Sequence, residues 1–123
     1  MKSFSRTLLS ISALVFAFGA YIHTSAFGRM SEAVAKSDLP AFFGNGFRTL
    51  WTMDSAVQIA LALLFALVAV RPSAATRPIV ILIALIPLTT SVVIYCLIGN
   101  FIGGHLFLTG ALAAIFGALL KQD

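Results

Sequence analysis

The chain has 123 residues, of which 60% are hydrophobic and only 10% charged, and its formal charge is +4. Such a balance excludes a water-soluble globular domain, which would need polar surface that this sequence does not have, and the length allows a single domain, 1–123. Nucleic-acid recognition is excluded as well, because the basic residues are scattered at the ends of apolar runs and form no patch with interleaved aromatics.

Lys2 and Arg6 precede an apolar run over residues 8–27, softened near its end by Tyr21, His23, Thr24 and Ser25. A basic start and the small-x-small step at residues 24–26 would also suit a cleaved signal peptide, but a signal core has only ~7 to 15 apolar residues. The longer run favours a retained first span, about residues 7–27. Ser12, Phe16, Gly19 and His23 recur every three to four residues and so share one face of that helix.

Residues 29–50 form the only substantial polar segment. Ser31 is placed to cap a short helix ending at Ala35, and Asp38, Leu39 and Pro40 form a second start signal. Phe42, Phe43, Phe47 and Trp51 are spaced for an amphipathic turn or two lying among lipid headgroups, although Gly44 and Gly46 weaken a helix there. A second span follows over residues 50–70, with Trp51 as an interfacial anchor and with Asp54 and Gln58 one turn apart on one face. Arg71 and Pro72 end it.

Residues 78–120 contain no Asp, Glu, Lys or Arg. The runs 78–98 and 101–120 can each cross a ~30 Å hydrocarbon core at about 1.5 Å per residue, and only Gly99 and Asn100 separate them. Pro87 frees the carbonyl of Ile83 inside the third span, and the hydroxyls of Thr89, Thr90 and Ser91 stand ready to satisfy it. Cys96 is the only cysteine, so no intrachain disulfide or paired-cysteine metal motif can form. In the fourth span Gly103, Gly110 and Gly117 are seven residues apart, with Ala113 and Ala114 on the same side, while His105 and Thr109 share a different face. This small-residue groove either packs on a neighbour inside the bundle or receives a second copy or a partner protein.

The pattern predicts an all-α integral membrane protein: four transmembrane helices in an up-down bundle, with a short interfacial helical segment between the first two. Lys2, Arg6, Arg71, Arg77 and Lys121 then fall on one side, against Arg29, Lys36 and Arg48 on the other. That bias places both termini in the cytoplasm, in a bacterial inner membrane.

With this topology His23, Asp54, Tyr95 and His105 lie at one depth near the outer leaflet, and Gln58 and Thr109 lie a turn deeper. Polar groups at such depths point into a bundle or an aqueous cavity, so these six residues are the expected ligand-binding pocket. They would also serve as a hydrogen-bonded network that fixes helix order. His23, His105 and Asp54 offer a ligand set for zinc or copper, and the two histidines one for haem b, although neither histidine belongs to a local ligand motif. Asp54 could instead carry protons in a small-solute transporter acting as an oligomer. Nucleophile-elbow, zinc-protease and phosphate-loop motifs are absent, so the sequence leans away from catalysis and no catalytic residue is expected. The reading it favours is a non-catalytic accessory or interaction subunit in the lipid bilayer. Gly103, Gly110 and Gly117 would hold a second copy or a membrane-protein partner, with ligand, metal or haem binding next and transport third.

Overall fold

The computed structural model describes residues 2–121, whose regular elements are all helices, with no strand among them. The helices are α1 (Lys2–Ser25), α2 (Phe27–Ala35), α3 (Ala41–Val70), α4 (Arg77–Leu97) and α5 (Ile102–Leu119), with a single 3₁₀ turn over Pro72–Ala74. Four segments are long and apolar enough to cross a membrane: Ser3–Ala35, Ala41–Val70, Arg77–Leu97 and Ile102–Leu119. They form two helical hairpins, α1 and α2 against α3, and α4 against α5.

The first hairpin departs from the expected layout. Ala26 stays in the right-handed helical region, its N–H bonds the carbonyl of Ile22 and its carbonyl accepts from Met30, so α2 continues α1 with little interruption. No proline breaks the ladder between them. Ser31 therefore lies inside α2 and caps nothing; its Oγ accepts from Arg48 Nε at 2.7 Å. On the other strand of the hairpin, Pro40 precedes the first turn of α3 as the start signal implied. Residues 42–50 are not a separate interfacial segment but the opening turns of α3, which runs unbroken to Val70. Gly44 does not weaken this stretch because the absence of a side chain is what lets α2 approach: a Cβ there would stand 3.1 Å from Val34 Cγ1.

In the second hairpin Gly99 takes φ +89°, which only glycine adopts without strain, and its N–H bonds the carbonyl of Ile94 to close α4. Pro87 is buried within α4. Two of the three hydroxyls expected to satisfy Ile83 bond elsewhere, Thr90 to the carbonyl of Ile86 (3.0 Å) and Ser91 to that of Gly104 on α5 (3.0 Å).

α1 packs on both α3 and α5, and α5 on α4, so the lateral order is α3, α1, α5, α4. α3 and α4 make no extended contact. The seam between the central pair is built from the expected small residues. Ser5 donates to the carbonyl of Gly117 at 2.6 Å and Ser12 to that of Gly110 at 2.8 Å, both buried and one heptad apart on each helix. A Cβ on Gly110 would stand 2.5 Å from Phe16 Cζ, and one on Gly117 3.0 Å from Leu9 Cγ. The glycine groove is therefore occupied by α1 within the chain. Phe16 anchors the interior, its ring 5.9 Å from those of Phe65 on α3 and Phe107 on α5. Leu14, Phe18, Leu63 and Leu82 point outward and are exposed. Small and hydroxyl residues inside with large apolar ones outside are what helices need to pack closely in lipid.

Candidate functional site

Carried one heptad further, the seam would oppose Gly19 on α1 with Gly103 on α5. Gln58 stands over the first and Phe101 over the second, and beside them lies a cavity of about 310 Å³, lined by residues of α1, α3, α4 and α5. Ile94, Ile98 and Leu106 give it apolar walls, and Phe107 belongs both to its lining and to the aromatic cluster around Phe16. Because α3 and α4 do not close on each other, the cavity opens between them, at the end of the bundle that carries the Gly99 turn.

One wall is polar. Asp54 Oδ2 accepts from Gln58 Nε2 at 2.7 Å and lies 3.4 Å from His23 Nε2. The imidazole is held on its other nitrogen by Ser55 Oγ, 2.9 Å from Nδ1, and on its face by the Trp51 ring, stacked at 4.0 Å with 14° between planes. Trp51 Nε1 donates to the His23 carbonyl at 2.8 Å, fixing the indole. Ser55 Oγ in turn donates to the Trp51 carbonyl at 3.2 Å, and His23 Nε2 faces the Asp54 carboxylate at ion-pair distance. Local spacing explains the grouping: Trp51, Asp54, Ser55 and Gln58 fall within two turns on one side of α3, facing His23 across the hairpin.

The order Asp54, His23, Ser55 is that of a hydrolase triad. Here it presents no nucleophile, because Ser55 is only 8% exposed and is not part of the cavity lining. What the arrangement does is orient a carboxylate toward an apolar cavity.

Of the six expected pocket residues, His23, Asp54 and Gln58 meet at this wall, while Tyr95, His105 and Thr109 do not reach it. His105 is exposed, its Nδ1 2.8 Å from the Tyr95 hydroxyl and its Nε2 2.7 Å from Asn100 Oδ1, in a cluster that ties the ends of α4 and α5 together. Thr109 is exposed as well. The reason is rotational: burying Gly110 and Gly117 against α1 turns the opposite side of α5, with His105 and Thr109, out of the bundle. His105 is thus not brought to His23 and Asp54, and among the described residues no three His, Cys, Asp or Glu side chains gather as a metal site requires. Cys96 is exposed. Gly103 lines the cavity, whereas Gly110 and Gly117 belong to the seam.

Sequence reasoning missed Ser55, Thr90 and Gly19 as parts of the site and gave Trp51 only an interfacial role. The three-to-four-residue spacing of Trp51, Ser55 and Gln58 on α3 was the signal that places them beside one another. Compared with protein-family models, with curated proteins and with solved structures, the chain matches none.

Proposed function

We propose that this chain is a non-catalytic multi-pass membrane protein that binds a small amphipathic ligand, taken from the surrounding leaflet into the cavity between α3 and α4. The observation that carries this reading is the cavity itself: about 310 Å³, apolar on most sides, with the His23, Asp54 and Gln58 side chains convergent on one wall. Ligand sites are typically apolar hollows of roughly 300 to 1,000 Å³ with a few placed polar groups. Arg6, Arg71, Arg77 and Lys121 sit toward the opposite end of the bundle and only Arg29, Lys36 and Arg48 on the cavity side. In a bacterial inner membrane, that bias supports both termini in the cytoplasm and the cavity in the outer leaflet.

Binding is favoured over the other two roles that the sequence raises. An interaction subunit held through its glycines would need a free groove, and α1 fills the groove at Gly110 and Gly117. Transport would need a path onward, and below the cavity the rings of Phe16, Phe65 and Phe107 fill the bundle.

Trp51 is the only tryptophan and lines the cavity, so its fluorescence reports occupancy. Bromododecanol, whose bromine quenches indole, is expected to quench it saturably in wild-type protein held in lipid nanodiscs. In Gly103→Leu, where the new side chain grows toward Phe101 and Ile94 on the cavity wall, only the linear quenching of free partitioning remains. Linear, equal quenching in both proteins would overturn the reading.

A further inference from the structure

We infer that the head group taken by this cavity is a protonated amine, an inference that rests on the ligand-binding reading above. It follows from a count of hydrogen-bonding capacity at the polar wall. The donors are already engaged: Trp51 Nε1–H with the His23 carbonyl, the Thr90 hydroxyl with the Ile86 carbonyl, and a Gln58 N–H with Asp54 Oδ2. His23 Nδ1 is held by Ser55, and Nε2 faces Asp54 Oδ2 at 3.4 Å. What is left over is mainly acceptor. Asp54 Oδ1 and Gln58 Oε1 have no hydrogen-bond partner among the described residues; Gln58 is buried with Oε1 packed against Gly19, whereas the Asp54 side chain is about one-third exposed and its Oδ1 remains open to an incoming group.

A carboxylate with an open oxygen on an otherwise apolar wall calls for a donor with positive charge. A carboxylate or phosphate head would be repelled by Asp54 and would find no lysine or arginine on the wall. A carbonyl head, as in a quinone, would find only the second N–H of Gln58. An ammonium supplies three donors and the charge, and charge-assisted hydrogen bonds are roughly twice as strong as neutral ones. Trp51, Phe101 and Phe107 also line the cavity, and aromatic faces attract cations further. The ligand class is therefore an alkyl or aryl amine: a cationic head against Asp54, and an apolar body along Ile94, Ile98 and Leu106.

Three probes with one chain test this: dodecylammonium, dodecanol and dodecanoate, each displacing bromododecanol from Trp51 in nanodiscs of zwitterionic lipid. Dodecylammonium is expected to displace at least ~10-fold more effectively than dodecanol, with dodecanoate weakest, a ratio equivalent to about 1.4 kcal/mol. Asp54→Asn should remove that preference while saturable bromododecanol quenching persists, which also reports that the variant has kept its cavity. Equal displacement by ammonium and alcohol in the wild type, or a preference surviving in Asp54→Asn, overturns the amine assignment and leaves the cavity reading standing. Absence of saturable quenching in the wild type overturns both.

Discussion

Glycine acts in two opposite ways along the α1–α5 seam. At Gly110 a Cβ would stand 2.5 Å from the ring of Phe16, which Phe65 and Phe107 hold in place, so nothing there can yield cheaply. At Gly19 the added atom would meet only the end of the Gln58 side chain, Oε1 and Cδ. Gly110→Ala should therefore lose about 1 to 3 kcal/mol of stability, as overpacked cores do, seen as earlier thermal unfolding in detergent. Gly19→Ala should unfold close to the wild-type temperature but push Gln58 off Asp54 and weaken bromododecanol quenching of Trp51. The reverse pattern, a stable Gly110→Ala beside an unfolded Gly19→Ala, would mean that the seam is misassigned.

The same residues show what the sequence could reveal of the site. Periodicity put His23 on one helix face with Gly19, and Asp54 with Gln58, and these faces do meet. It also separated His105 from the glycines on α5, but could not say which of the two faces turns inward. That was decided by Ser5 and Ser12 reaching the carbonyls of Gly117 and Gly110, contacts between helices that no local pattern encodes.

At the scale of elements, the two hairpins differ in reach. α3 has 30 residues where α5 has 18, and Trp51, at cavity level, is preceded by about ten helical residues. At ~1.5 Å each these carry the first hairpin about 15 Å beyond Trp51. Phe42, 81% exposed, and Phe47 ride on this extension. Aromatic residues here led to the expectation of a helix lying flat among headgroups, but their spacing suits an upright helix equally well. Arg48 holds the extension together, donating from Nε to Ser31 Oγ at 2.7 Å and from Nη2 to the Ser31 carbonyl at 3.2 Å. Arg48→Ala should raise amide hydrogen exchange across residues 27–47 and leave residues 55–70 unchanged, since the latter are held by α1. Uniform exchange across both stretches would show that α2 and α3 are not clamped at this point.

For the whole molecule, four apolar segments and two short connections were enough to define two helical hairpins, because in lipid every backbone polar group must be satisfied within a helix. Hydropathy does not encode lateral order, which here puts α1 and α5 at the centre and keeps α3 and α4 apart. The cavity is a product of that order, and adjacent residues on α4 give the most direct test of it. Thr90 lines the cavity, while Ser91 is fully buried against the Gly104 carbonyl at nearly the same depth. With Cys96 replaced by serine, Thr90→Cys and Ser91→Cys can be compared for their rate of reaction with methyl methanethiosulfonate in nanodiscs. A fast reaction at position 90 that bromododecanol slows, beside an inert position 91, is the predicted result. Equal rates at both positions, or a reaction at 90 that bromododecanol leaves unchanged, would contradict a ligand cavity between α3 and α4.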